Sequence, residues 1–527
     1  MKLTRRSMLL GAAATLSLSS RALARPYPAP DSRLDPVLFW NAVALQMVAL
    51  DHSVDQADTR APGPTASARA LGVIHAVIAD AVHFAYGSDY RPLFYRGGIP
   101  FDIEVPELFV GGAATGILNH IFNTPTHAYT IGVSGDRFKK ELGIPEGRDW
   151  QAGIAFANSA HFRRLWDWDR MQLTLLPQHA TYIPRPRGHN ADPLNAAQGF
   201  YGAGWGSYPA LVLENQRHVA ALGPGEPPPE GSPEYERDLA EVRVKGALRS
   251  RGDRYFAQRT VRETNIGLYW AYDGARLLGT PPRLYNQIVR QIAIADRMNV
   301  VENARLFALC NIAIADAGNV CWLAKYRYNI WRPILGIQNH AHAPDPDWVP
   351  FGAPKTNPVQ MAQGSQSGLR GTAQSLMGGG PASFSPLSSD ASGRRRPQYR
   401  DAAFTPNFPS YPSGHATFGA ACFETLKLIR RERPATRHDP DAIGLEFVSD
   451  ELNGVSQDHF SGEARAYYPI RYRSIDDMIA DNNLSRVYLG VHWRFDSNRG
   501  EESGRNVARA IYRAAYGPSG AYDRGRS

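Results

Sequence analysis

The sequence predicts an all-α protein with long connecting loops. Three observations carry this. Apolar residues recur at helical three-and-four spacing along most of the chain. Few stretches alternate in the manner of strands. Glycine and proline together account for 87 of the 527 residues, above the usual share of about 12%, which points to extended loops rather than a minimal domain.

The helices follow in order. Residues 36–50 read as a helix with Asp35 as N-cap and Pro36 at the first position. Residues 66–86, 150–168 and 254–278 carry the same period. Residues 299–331 form one long, nearly all-apolar helix, expected at the centre of the fold. Residues 416–431 and 476–490 complete the set. Between them, 222–233 (LGPGEPPPEGSP) cannot be regular structure and reads as a linker between halves. Residues 352–406 are rich in Gly, Ser, Gln and Pro, and so long a loop is either functional or disordered.

Composition excludes several classes. Hydrophobic residues make up 43% and charged residues 20%, so the chain can bury a core and is not disordered throughout. No uninterrupted run of 18 apolar residues appears, which argues against a polytopic membrane protein. Cys310, Cys321 and Cys422 are too few for a disulfide scaffold. Cys310 and Cys321 lie too far apart on one helix to bond. Cys422 could pair with either, but buried free thiols are expected. The net charge is +8, and Lys2, Arg5, Arg6 and Arg21, with no acid among residues 1–24, account for half of it. Arg394, Arg395 and Arg396 form the only tight basic run, read as a solvated loop, so no nucleic-acid stripe is evident.

The N-terminus reads as an export signal. Thr4-Arg5-Arg6-Ser7-Met8-Leu9-Leu10 is a twin-arginine pattern, followed by an apolar stretch to about Leu18 and by Ala22-Leu23-Ala24 at a cleavage spacing. The expectation is a signal peptide over 1–24, a mature chain from near Arg25, and a periplasmic or secreted bacterial protein without stable membrane insertion.

Three segments carry chemistry. Lys325 and Arg332 are seven residues apart, so on a continuous helix both would leave the same face two turns apart, with Pro333 ending the helix at Arg332. Two cations so placed suit a multiply charged oxyanion. Pro412-Ser413-Gly414-His415 opens the helix 416–431, offering a hydroxyl, backbone N–H groups and an imidazole. Ser485-Arg486 and Gly490-Val491-His492, with Asp496 four residues on, add a third cation, a second histidine and a carboxylate able to fix its tautomer. Together they suit a tetrahedral oxyanion passing through a five-coordinate state. Asp316 falls on the opposite face from Lys325 and reads as structural; His75, His83 and His459 read as core or surface.

The ordered set Lys-x6-Arg-Pro, Pro-Ser-Gly-His and Ser-Arg-x5-His-x3-Asp resembles the signature shared by type 2 phosphatidic acid phosphatases, class A acid phosphatases and vanadium-dependent haloperoxidases. Among these, 315–318, 345–357, 408–419, 451–455 and 485–496 look most like fungal-type vanadium chloroperoxidases. The resemblance covers about 299–496. It implies two four-helix bundles, taken as 25–250 and 251–527, with a Gly/Ser-rich insertion at about 360–400. It further implies vanadate held by Lys325, Arg332, Ser413, Gly414 and Arg486, with His492 as vanadium ligand, Asp496 orienting it and His415 as acid–base residue. The implied reaction is two-electron oxidation of bromide or chloride by hydrogen peroxide, giving hypohalous acid and water, with a small organic substrate as a further partner. Phe408 and Trp322 match the aromatic types of chloroperoxidases, where algal bromoperoxidases have histidine at the Phe408 position. The alternative is a secreted acid phosphatase that hydrolyses phosphate monoesters through a phosphohistidine at His492.

Overall fold

The computed structural model of the protein describes residues 34–53, 58–99, 102–144, 147–175, 201–248, 258–275, 278–352, 405–456 and 464–517. The expected signal peptide, the 360–400 insertion, the Arg394–Arg396 run and His459 lie outside these residues.

The chain is all-α. The N-terminal helices are α1 (Pro36–Asp51), α2 (Gly63–Tyr86), α3 (Pro106–Ile121), α4 (Pro125–Leu142), α5 (Arg148–Ala157), α6 (Ala160–Arg163) and α7 (Trp168–Leu175). Then come α8 (Gln216–Ala221), α9 (Pro233–Lys245), α10 (Val261–Tyr269), α11 (Pro281–Ala295), α12 (Val300–Tyr328) and α13 (Pro333–Gln338). The C-terminal part holds α14 (Gly414–Glu432), a two-stranded antiparallel ribbon of β1 (Ala442–Phe447) and β2 (Ile470–Ser474), α15 (Ile475–Tyr488) and α16 (Arg494–Ala514).

Prolines at the first turn start α2, α3, α4, α9, α11 and α13, where the missing N–H costs nothing. A full capping box starts α12: the Asn299 side chain accepts from Glu302 N–H, and the Glu302 carboxylate accepts from Asn299 N–H.

The core is α12, buried on nearly all faces and packed along α2 on one side and against α14 and α16 on the other. Each fully buried Leu, Ile or Phe along it contributes about 1.5–3 kcal/mol. By length and mean hydropathy, 63–86 and the apolar stretch within 300–338 could each cross a membrane, although neither is an uninterrupted apolar run. However, 83% and 94% of their most apolar windows are buried inside the protein, so they serve here as core helices. Small residues bring α16 close to α14. A Cβ on Gly504 would stand 2.3 Å from Thr417 O, so only glycine permits that approach. The three cysteines are buried and free.

Several expected boundaries need correction. The 150–168 helix breaks at Asn158, so α5 and α6 are separate. The 254–278 helix shrinks to α10. Most importantly, 299–331 is not one helix reaching Arg332. Asn329 takes the left-handed conformation (φ 55°) and caps α12 through its N–H to Lys325 O. Arg332 is then the extended N-cap of α13, and Pro333 begins that helix rather than ending the previous one. Lys325 and Arg332 therefore converge by a turn of the chain, not by sharing a helix face.

Two buried polar groups show how the sequence manages its core. Both carboxylate oxygens of Asp316 accept backbone N–H groups from the 211–213 loop: Leu211 at 2.6 Å, Val212 at 2.9 Å and Leu213 at 3.0 Å. Its role is structural, clamping that loop to α12. His75 stacks on Phe307 and its Nε2 meets Asn41 Nδ2 at 3.1 Å, within an Asn41–Asn286–Asn311 network. Burial pushes the His75 imidazole down from 6.5 to about 3. Between those values the unfolded chain binds a proton that the folded chain refuses, so stability is complete above pH 6.5 and falls as pH drops. Wild type should lose about 2–3 kcal/mol more than His75→Leu between pH 6.5 and 4.5, at about 1.4 kcal/mol per unit. Urea unfolding at the two pH values checks this, and parallel pH slopes would refute it. His83 is half-exposed and bonds Ser88 Oγ at 2.8 Å.

Candidate active site

The site assembles where the start of α14, the end of α15, the turn before α16 and the 408–412 segment meet. Ser413 is the N-cap of α14: its Oγ accepts from Ala416 N at 3.4 Å and its own N–H donates to Asp496 O at 2.9 Å. Gly414 and His415 form the first turn. Tyr285 Oη and Asn482 Nδ2 donate to His415 O at 3.1 and 2.9 Å, which fixes where the imidazole starts. At the other end of α15, Gly490 has φ +71° and packs so closely on Gly246 that a Cβ would meet Gly246 O at 2.4 Å. That turn delivers His492 to the cluster.

Hydrogen bonds assign the tautomers. A guanidinium only donates, and Arg332 Nη1 lies 2.8 Å from His492 Nε2, so Nε2 carries a lone pair. His492 Nδ1 then holds the proton and donates to Asp496 Oδ2 at 2.9 Å. That same carboxylate oxygen also accepts from Ser410 Oγ and from Trp493 N–H at 3.0 Å. In His415, Nε2 donates to Ala271 O at 2.7 Å, leaving the lone pair on Nδ1. Burial, reinforced for His492 by Arg332 and for His415 by Arg486, holds both imidazoles well below 6.5, hence neutral at pH 7.

The cations are fully buried. Arg486 makes a bidentate pair with Asp273, both bonds at 2.9 Å. Arg332 donates through Nε to Phe408 O at 3.0 Å and through Nη1 to Val491 O at 2.8 Å. Lys325 Nζ donates to three backbone carbonyls, Pro409 O at 2.9 Å, Ser410 O at 3.0 Å and Pro412 O, so it braces the turn before Ser413. Burial pushes Lys325 down to about 7 and Arg332 to about 9. Asp496 is driven up to about 7 by burial, against the pull of Ser410 and Lys325.

Two donors here have no partner among the described residues: Arg332 Nη2 and Arg486 Nε, both buried. Each unpaired buried donor costs about 1–3 kcal/mol, and both belong to cations. A tetrahedral oxyanion among them would satisfy both and raise the cations' affinity for protons again. The described residues offer no cluster of three His, Cys, Asp or Glu side chains for a bare cation. The donor set therefore fits vanadate, with His492 Nε2 as the available nitrogen.

A small cavity opens beside the cluster, walled by Asp273, Thr280, Trp322, Phe408, Gly414, His415, Arg486 and His492, among others. Trp322 and Phe408 pack at 4.9 Å between centroids. The Phe408 ring also faces two cations, with Lys325 Nζ at 5.1 Å and Arg332 Cζ at 5.0 Å from its centroid.

Asp273 and Ser410 escaped the sequence reading. Asp273 follows Tyr272, whose φ of +38° is rare for a non-glycine residue and costs about 1–3 kcal/mol. Tyr272 is held there by its hydroxyl, which donates to Gln287 Oε1 at 2.9 Å and accepts from Asp450 N–H at 3.0 Å. A carboxylate after the aromatic run Tyr269-Trp270-Ala271-Tyr272 was the available signal, since a buried acid there needs a cation.

Residues 305–517 match the family model described as the VCPO second helical-bundle domain. In that region the chain is similar to the vanadium-dependent haloperoxidases. Among curated relatives, the vanadium chloroperoxidase of Curvularia inaequalis is 29% identical over 530 residues, 88% of this chain and 79% of that protein. Among solved structures, one described as the first bacterial vanadium-dependent iodoperoxidase superposes with a TM-score of 0.59 at 17% identity, covering 88% of this chain and 94% of that one. A holo-type bacterial vanadium-dependent chloroperoxidase gives 0.52 at 13% identity, covering 89% and 98%. At these identities the structural likeness shows that the fold is that of the haloperoxidases.

Proposed function

We propose that the protein is a vanadate-dependent haloperoxidase that uses hydrogen peroxide to oxidise bromide or chloride to hypohalous acid, which can then halogenate a small organic substrate. The observation that carries this is the pair of orphaned guanidinium donors, Arg332 Nη2 and Arg486 Nε, beside a histidine whose Nε2 lone pair is defined by its neighbours.

In this reading Arg332, Arg486, the Ser413 hydroxyl and the Gly414 N–H hold the vanadate oxygens, and Lys325, whose three donors brace the 409–412 carbonyls, contributes its charge from behind them. When bound, vanadate supplies a Lewis-acidic centre that stays oxidised and activates peroxide. Asp496 keeps the proton on His492 Nδ1 and so keeps Nε2 unprotonated, able to exchange its contact with Arg332 for the metal. His415, neutral with its lone pair on Nδ1, is a base able to take a proton from hydrogen peroxide. Trp322 and Phe408 give the cavity an apolar wall suited to a weakly hydrated halide.

The phosphatase alternative needs His415 as an acid toward the leaving group. The same cradle would hold phosphate, so assay separates the two readings. The twin-arginine pattern at Arg5-Arg6 supports export of the folded protein to the periplasm or beyond.

The test is to express the full chain, recover the exported protein, and determine its N-terminal residue, expected near Arg25. The protein is then stripped with chelator and assayed with and without orthovanadate. Halogenation of an activated diketone by peroxide plus bromide or chloride should appear only with vanadate. Hydrolysis of a chromogenic phosphate monoester, inhibited by vanadate and without halogenation, would replace this reading with the phosphatase.

A further inference from the structure

We propose that the Thr280 hydroxyl, at the N-terminal end of α11, is the seat of the halide. The inference deepens the haloperoxidase reading and rests on it.

Thr280 is the N-cap of the 15-residue helix α11, yet its side chain caps nothing. An N-cap threonine ordinarily accepts from the N–H two or three residues on. Here Pro281 and Pro282 fill the first two helical positions, and proline has no N–H. The third, Arg283, sends its N–H to Thr280 O at 3.0 Å. The hydroxyl is thus released from the usual duty. It is also fully buried (0% exposed), and Oγ1 has no hydrogen-bond partner among the described residues. A buried hydroxyl left unpaired costs about 1–3 kcal/mol, which a valine of the same shape would avoid.

Its surroundings indicate the ligand. Thr280 walls the cavity that also contains Arg486, His415, His492, Trp322 and Phe408. The N-terminus of α11 brings a partial positive charge. The two prolines remove the N–H groups that would bind a multiply charged oxyanion at this end, and such donors are instead concentrated at Arg332, Arg486 and Gly414. What remains at Thr280 is one O–H donor, a positive helix end and apolar walls from Pro281 and Pro64. That combination suits a large, spherical, weakly hydrated monoanion, which asks for few directional bonds and tolerates apolar contact.

The test uses crystals of the mature protein soaked in bromide, located by anomalous scattering, together with kinetics of the vanadate-loaded enzyme. Wild type and Thr280→Ser should show bromide against the residue-280 hydroxyl, and Thr280→Val should lose it. In solution Thr280→Val should raise KM for bromide about tenfold, the size of one hydrogen bond to a charge, with KM for peroxide unchanged and Thr280→Ser close to wild type. A bromide peak unmoved by Thr280→Val, or an unchanged bromide KM, overturns the proposal. A protein that seats bromide on Thr280 but oxidises no halide overturns the haloperoxidase reading and leaves an anion seat alone. The two failures are therefore distinguishable.

Discussion

His492→Ala should abolish the proposed vanadate-dependent halide oxidation, by a factor of at least about 10³, while leaving the helical fold intact. Removing a partner behind a metal ligand typically costs 10–100-fold, and here the nitrogen proposed as the ligand is lost. His492 Nε2 is the lone pair that the Arg332 and Asp496 contacts leave facing the cation cluster, and His415 has its own Nε2 tied to Ala271 O. Orthovanadate binding followed directly, by vanadium NMR or calorimetry, should disappear in parallel. Circular dichroism should be unchanged, because His492 contributes one ring to a core otherwise filled by Trp493, Phe495 and Val491. Retention of a tenth or more of wild-type activity would remove His492 from the ligand role.

Asp273→Ala has the largest expected effect on stability, about 3–5 kcal/mol in the vanadate-free protein. The substitution strips Arg486 of both ends of a bidentate pair and leaves a fully buried guanidinium unmatched beside Arg332. Asp273→Asn, which keeps one acceptor oxygen, should cost less. Orthovanadate should restore part of the loss, since its oxygens provide the acceptors that Arg486 lacks, and binding to the folded state alone stabilises it by mass action. Denaturation midpoints with and without orthovanadate measure both effects. A loss below about 1 kcal/mol in Asp273→Ala would show that Asp273 does not neutralise Arg486.

Much of this site was legible because its residues come in short local units. Ser413 caps the helix that carries Gly414 and His415, and Asp496 reaches His492 across four residues of one turn. Local geometry dictates such placements, and they can be read wherever the segment lies in the fold. Arg332 shows where local reasoning fails. A continuous helix would have carried it two turns beyond Lys325, but Asn329 adopts a left-handed conformation that ends α12 and redirects the chain. A single asparagine in that position is a weak signal within an apolar, aromatic run. Thr280 shows a different limit, since the sequence reading includes no helix over 281–295 and its cap position appears only in the structure.

By itself the sequence determined the helical class, the central helix, the caps that begin it and the identities of the cation, hydroxyl and imidazole groups. All of these follow from periodicity and from chemistry within a few residues. The tertiary structure alone decided that Asp273, on the turn after α10, would neutralise Arg486, that Lys325 would spend its donors on the 409–412 turn, and that Arg332 Nη2 and Arg486 Nε would be left without partners. Those outcomes depend on which buried charges meet across hundreds of residues. Burial makes each unmatched charge too costly to leave without a partner, but it does not mark the partner in the sequence.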